Sequence, residues 1–96
     1  MIKEYTNEKL EDIKDLTIVD FYADWCGPCK MLSQVLEQLD DINIIKINVD
    51  ENEELAKKYK VMSIPYLLIV KDGEIKKELL GFRSKDDLEE EINSLK

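Results

Sequence analysis

Ninety-six residues hold one domain, residues 1–96, and no second core; an apolar content of 44% supports that core without a metal or disulfide staple. Fourteen basic against 22 acidic side chains leave a net charge of −8, which opposes binding to nucleic acid or to anionic membranes and reads as solubility. Histidine is absent, so Cys–His nucleophilic catalysis and histidine-ligated metal sites are excluded, and two cysteines alone cannot complete a four-coordinate zinc site.

The chain begins with a weak strand, Ile2 to Tyr5, and a short helix, Asn7 to Ile13. This start is polar, without the apolar stretch of a signal peptide, and no later run reaches the ~18 apolar residues of a membrane span. A cytoplasmic protein is expected. Leu16 to Tyr22 reads as a strand rich in β-branched and aromatic residues. Beyond the Trp25-Cys26-Gly27-Pro28-Cys29 turn, Leu32, Val35, Leu36 and Leu39 recur at helical spacing until Asp40-Asp41 ends the helix. Ile42 to Val49 is the second clear strand. Asp50 and Glu53 resemble a capping box for a short helix with Leu55, Ala56 and Tyr59 on its apolar face.

Pro65 to Val70 is an apolar run suited to a strand buried on both faces. Lys71-Asp72-Gly73-Glu74 carries a tight-hairpin signal, so the strand from Ile75 to Leu80 must return antiparallel. Ser84 with Asp87 caps a last helix whose Leu88, Ile92 and Leu95 share a face. The order β-α-β-α-β-α-β-β-α gives an α/β fold, a mixed, mostly parallel central sheet with helices on both faces.

Cys26 and Cys29 stand where a strand gives way to a helix. Two intervening residues let their sulfurs meet across the first turn, so the pair can close and reopen with little backbone movement. The thiol of Cys26, expected to be exposed, lies over unpaired helix N–H groups and the positive end of the dipole, which favours its thiolate. Pro28 suits a first turn, where its missing N–H is not needed. A structural disulfide usually closes a long loop in a secreted chain, and this one closes almost none. The alternatives to redox chemistry are such a structural bridge, inert burial, or zinc shared across an oligomer; the strand–helix context favours redox.

The segment Val19 to Lys30, with Trp25-Cys26-Gly27-Pro28-Cys29 at its centre, resembles the active-site segment of the thioredoxin family. Ser63-Ile64-Pro65 is similar to that family's cis-proline loop, and Asp72-Gly73 with Gly81 falls where the family has its hairpin turn and late glycine. The likeness runs through nearly the whole chain and implies a thioredoxin fold. It also implies a thiol–disulfide oxidoreductase, an electron-carrier protein that reduces client disulfides and maintains cell redox balance. Gly27-Pro28 between the cysteines points to a reductant rather than an oxidising isomerase, which carries Gly-His there.

Asp20 is out of character in its strand: a carboxylate among Ile18, Val19 and Phe21 is either desolvated, which raises its pKa, or turned to the surface at a strand end. The resemblance makes it the buried acid that relays a proton to or from Cys29 through water. Lys46 is the matching oddity among Ile44, Ile45 and Ile47, and the resemblance places it beside Asp20 as a counter-charge. The other reading is an alkyl stem whose ammonium reaches solvent.

The family also implies a cis bond before Pro65, which sets the backbone of Ile64 beside the dithiol, free to pair with an extended client segment. Trp25, Gly27 and Pro28 on one side, with Ile64, Gly81 and Phe82 on the other, then line a client groove; for Trp25 and Phe82 the alternative is ordinary packing. Gln34, Tyr66 and Phe82 depart from the family's usual proline, threonine and small residue, and the N-terminal strand and helix are short. Gln34 implies a straighter active-site helix; the other departures bear on client choice and stability.

The resemblance further implies partners: client proteins with disulfides, and a thioredoxin reductase that is flavin-dependent with NADPH, or ferredoxin-linked. The chain is expected to be a monomer that holds no metal and needs no cofactor of its own, having no Gly-rich phosphate loop. Two other functions fit the fold: a dedicated reductant or oxidase for one client, and a structural module whose dithiol is idle. Asp20 and Lys46 argue against an idle dithiol, because burying charge has no value to a scaffold.

Overall fold

Strand-forming residues and turn signals alternate along the chain as the elements do in a computed structural model, which describes residues Met1–Lys96. The strands are β1 (Ile2–Glu4), β2 (Thr17–Tyr22), β3 (Asn43–Asn48), β4 (Tyr66–Lys71) and β5 (Glu74–Leu80). The helices are α1 (Gly27–Glu37), α2 (Glu53–Lys58) and α3 (Lys85–Asn93). One sheet runs in the order β1-β3-β2-β4-β5. β3 pairs parallel with β1 and β2, whereas β4 pairs antiparallel with β2 and β5. The sheet is mixed as expected; its pairings, expected mostly parallel, divide evenly.

Alternation along the strands sends side chains to two cores. Ile18, Ile44, Leu67 and Ile69 pack with Leu32 and Leu36 of α1 and Leu88 and Ile92 of α3 on one face. On the other face Val19, Phe21, Ile47 and Leu68 pack with Leu10, and half-buried Leu55 and Tyr59 close over them. β2 and β4, at the centre, are buried on both faces and therefore read as almost unbroken apolar runs.

Two local expectations are corrected. The helix expected from Asn7 to Ile13 is a single 3-10 turn, Leu10–Asp12, in which only Leu10 is buried; one apolar anchor does not offset the cost of nucleating a longer helix. The Asp50–Glu53 capping box does not form. Asn52 stands at the cap of α2 without a side-chain cap bond, and the Asp50 carboxylate is engaged elsewhere. The Ser84 cap does form, its Oγ accepting from Asp87 N–H at 3.1 Å. α1 runs as one uninterrupted helix through Gln34.

The β4–β5 hairpin turns on Asp72 (φ 54°) and Gly73 (φ 74°), both left-handed, as a two-residue turn demands. Gly73 N–H donates to Ile13 O at 2.7 Å and Asp72 N–H to Lys14 O at 2.9 Å, which ties the hairpin to the first loop. A Cβ on Gly73 would lie 2.5 Å from Glu11 O, so the turn requires glycine. No helix is long and apolar enough to cross a membrane.

Candidate active site: a dithiol at a helix tip

β2 ends at Tyr22 and the chain turns through Ala23-Asp24-Trp25 into α1, which brings Cys26 to the cap position of that helix. Cys26 has extended backbone (φ −88°, ψ 108°), and its Sγ accepts a hydrogen bond from Cys29 N–H at 3.2 Å. This is the N-cap arrangement with sulfur in place of oxygen: a free helix N–H is satisfied, and negative charge on that sulfur is stabilised when the bond is reduced. Pro28 falls in the first turn as expected. Cys26 and Cys29 form a disulfide with Cα atoms 5.2 Å apart. Both are almost buried, at 5% and 3% exposure. Thus Cys26, expected at an exposed tip, is screened in the disulfide form.

The Ile64–Pro65 peptide bond is cis, and Cys26 Sγ lies 3.9 Å from Ile64 O. Ala23, Cys26 and Cys29 form a small cluster against which Tyr22, Val49 and Ile64 pack. Gly81 N–H donates to Pro65 O at 2.8 Å, which joins the start of the last loop to the proline loop. Gly81 has φ 80°, and Phe82 follows it with 43% of its surface exposed. Trp25 is 70% exposed, because its indole N–H is held by Asp50 Oδ2 at 2.8 Å rather than by burial. Gly27 and Pro28 are exposed beside it. Tyr66 does not face this surface: it is buried, its ring 6.1 Å from that of Phe21 and its hydroxyl donating to Glu78 Oε1.

Asp20 is 1% exposed, and neither carboxylate oxygen has a hydrogen-bond partner. Burial pushes its pKa up to about 7, against an opposing pull from the Lys46 charge. Lys46 is its direct neighbour across the β2–β3 pairing, yet no ion pair joins the two. The Lys46 ammonium donates instead to Ser33 Oγ at 2.9 Å and lies 4.5 Å from the centre of the Tyr22 ring. A cleft of about 320 Å³ opens here, and Cys29, Ser33 and Lys46 line it together.

Asp50 and Ser33 were not singled out by sequence as site residues. Ser33 had a usable signal: it is a polar residue one turn after Cys29, next to the buried Leu32 of α1. Asp50 had none, because its partner Trp25 is 25 residues away.

A closable cysteine pair at a helix N-terminus, beside the backbone carbonyl of Ile64 and the exposed Trp25 ring, defines a thiol–disulfide oxidoreductase. The sequence model of the thioredoxin family matches residues 2–94. The thioredoxin of Bacillus subtilis (strain 168) is 50% identical over 88 residues, which cover 86% of this chain and 85% of that one. The thioredoxin of Listeria monocytogenes is 44% identical over 100 aligned positions, covering 97% of both chains. Among solved structures, a mutant thioredoxin from Halobacterium salinarum NRC-1 superposes with a TM-score of 0.87 at 39% identity, covering 97% of this chain and 88% of that chain. The chain belongs to the thioredoxin family. It is accordingly a protein disulfide reductase that works by thiol–disulfide exchange.

Proposed function

We propose that Cys26 is the attacking sulfur and Cys29 the resolving one. The observation that carries this division is the hydrogen bond from Cys29 N–H to Cys26 Sγ, which favours the thiolate on Cys26 and not on Cys29. The Cys26 thiolate attacks one sulfur of a client disulfide, forms a mixed disulfide and releases a client thiolate. Cys29 gives its proton to Asp20 through water, and its thiolate attacks Cys26 Sγ. The Cys26–Cys29 bond forms, the second client thiolate leaves, and the client has gained two electrons. Asp20 suits this task because a pKa of about 7 matches the working pH. Lys46 contributes the one positive charge that lowers the cost of ionising it.

Clients lie in the groove as extended segments, pairing with the backbone of Ile64 beside Pro65. Trp25, Gly27 and Pro28 form one wall, and Gly81 and Phe82 the other. The exposed rings of Trp25 and Phe82 favour apolar client segments. A thioredoxin reductase, flavin-dependent with NADPH or ferredoxin-linked, returns the two electrons. The protein works as a cytoplasmic monomer.

Trapping tests the division of labour. Cys29→Ser keeps the attacking sulfur and lacks the resolving one, so it should accumulate mixed disulfides on a non-reducing gel of a cell lysate. Cys26→Ser should not. Identical patterns from the two variants would refute the two-step order.

A further inference from the structure

We propose that Ser33 is a positioning residue for the exchange, holding the Lys46 ammonium in the cleft beneath Cys29 and away from the Asp20 carboxyl. The inference rests on the role proposed above for Asp20. Asp20 and Lys46 are partners in the parallel β2–β3 pairing, and neighbours across a sheet project to the same face. A lysine stem is long enough to bring its ammonium to such a neighbour. It does not do so here: the ammonium is bonded to Ser33 Oγ at 2.9 Å, with the Tyr22 ring 4.5 Å away, and both Asp20 oxygens are without partners.

A hydroxyl acceptor, an aromatic face and an open cleft keep this strongly hydrated cation solvated. A contact pair with Asp20 would draw it under the helix instead, at a desolvation cost. Ser33 follows Cys29 by four residues on α1, so the resolving sulfur and this hydroxyl lie one above the other on one helix face. Cys29, Ser33, Lys46 and Tyr22 share the same cleft, with the charged Asp24 and Lys30 also on its lining.

The other groups around Asp20 do not replace Lys46. Glu4 on β1 adds a like charge. β4 opposes Asp20 with Leu67, and α1 and α3 cover this sheet face with Leu32, Leu36, Leu88 and Ile92. Cys29 does not titrate while it is in the disulfide. Lys30 also lines the cleft, yet Lys46 is the one cation whose charge acts on the Asp20 carboxyl, and Ser33 holds it in place. Removing the hydroxyl frees the ammonium to turn toward the carboxylate, favours the ionised form and makes Asp20 a weaker base.

Carbon-13 NMR of the Asp20 carboxyl in the disulfide form, followed across pH, reads this directly. Ser33→Ala should lower the titration midpoint by about one unit or more, the scale of an opposite charge at contact. Ser33→Thr, which keeps a hydroxyl, should retain the wild-type midpoint. Adding Lys46→Met to Ser33→Ala should abolish the drop. A midpoint unchanged or raised in Ser33→Ala, or a drop that persists without Lys46, would overturn the proposal. Unchanged client reduction by Asp20→Asn would strike the Asp20 role itself, a result distinct from any Ser33 titration.

Discussion

Above its folded pKa of about 7, the Asp20 carboxylate is ionised in a site that gives neither oxygen a hydrogen bond. Below about pH 4 it is protonated in the folded and unfolded chains alike and has no linked effect on stability. Between these limits the unfolded chain ionises first, so stability falls as pH rises, by on the order of 4 kcal/mol in all. Asp20→Asn should therefore raise stability by a few kcal/mol at about pH 8, with Lys46 losing its neighbour as a partial offset, and the gain should vanish near about pH 4. Urea denaturation at the two pH values measures it; equal or lower stability of the variant at the higher pH would contradict the burial argument. Asp20 and Lys46 were legible in the sequence because each interrupts an apolar strand. Where the Lys46 ammonium goes was not legible, since Ser33 lies 13 residues away and only the docking of α1 on β3 brings them together.

Among the elements, β2, β3, β4 and the hairpin were readable because burial on two faces or a forced turn leaves few alternatives for the residue types used. The first helix and the cap of α2 were not. Asn7 to Ile13 has helix-compatible residues but a single buried anchor, Leu10, and tertiary packing keeps only one 3-10 turn. Asp50 carries a helix-capping signature, yet the Trp25 indole takes its carboxylate from across the fold. The hairpin gives a test at this scale. Gly73→Ala places a side chain on a left-handed backbone and against Glu11 O, at a cost of about 2–3 kcal/mol. Chemical denaturation should show that loss while disulfide reduction by the folded variant stays unchanged, because the turn has no contact with the dithiol loop. A variant as stable as wild type would mean that the first loop moves aside freely.

Across the whole molecule, the sheet order sets β2 and β4 at the centre and aligns the end of β2 with the start of β4. The Phe21–Tyr66 pairing therefore brings the loop after Tyr22 and the loop before Tyr66 together, which places Cys26 against Ile64. Each part of this site was visible as a motif. Their meeting was visible only through family resemblance, because residues 38 apart in sequence leave no periodic signal. The central claim, that Cys26 is the nucleophile, is tested most directly by competition between the two sulfurs. One equivalent of iodoacetamide on the fully reduced protein at neutral pH, followed by peptide mass mapping, should label Cys26 first and leave Cys29 largely unmodified. Predominant labelling of Cys29 would contradict the account.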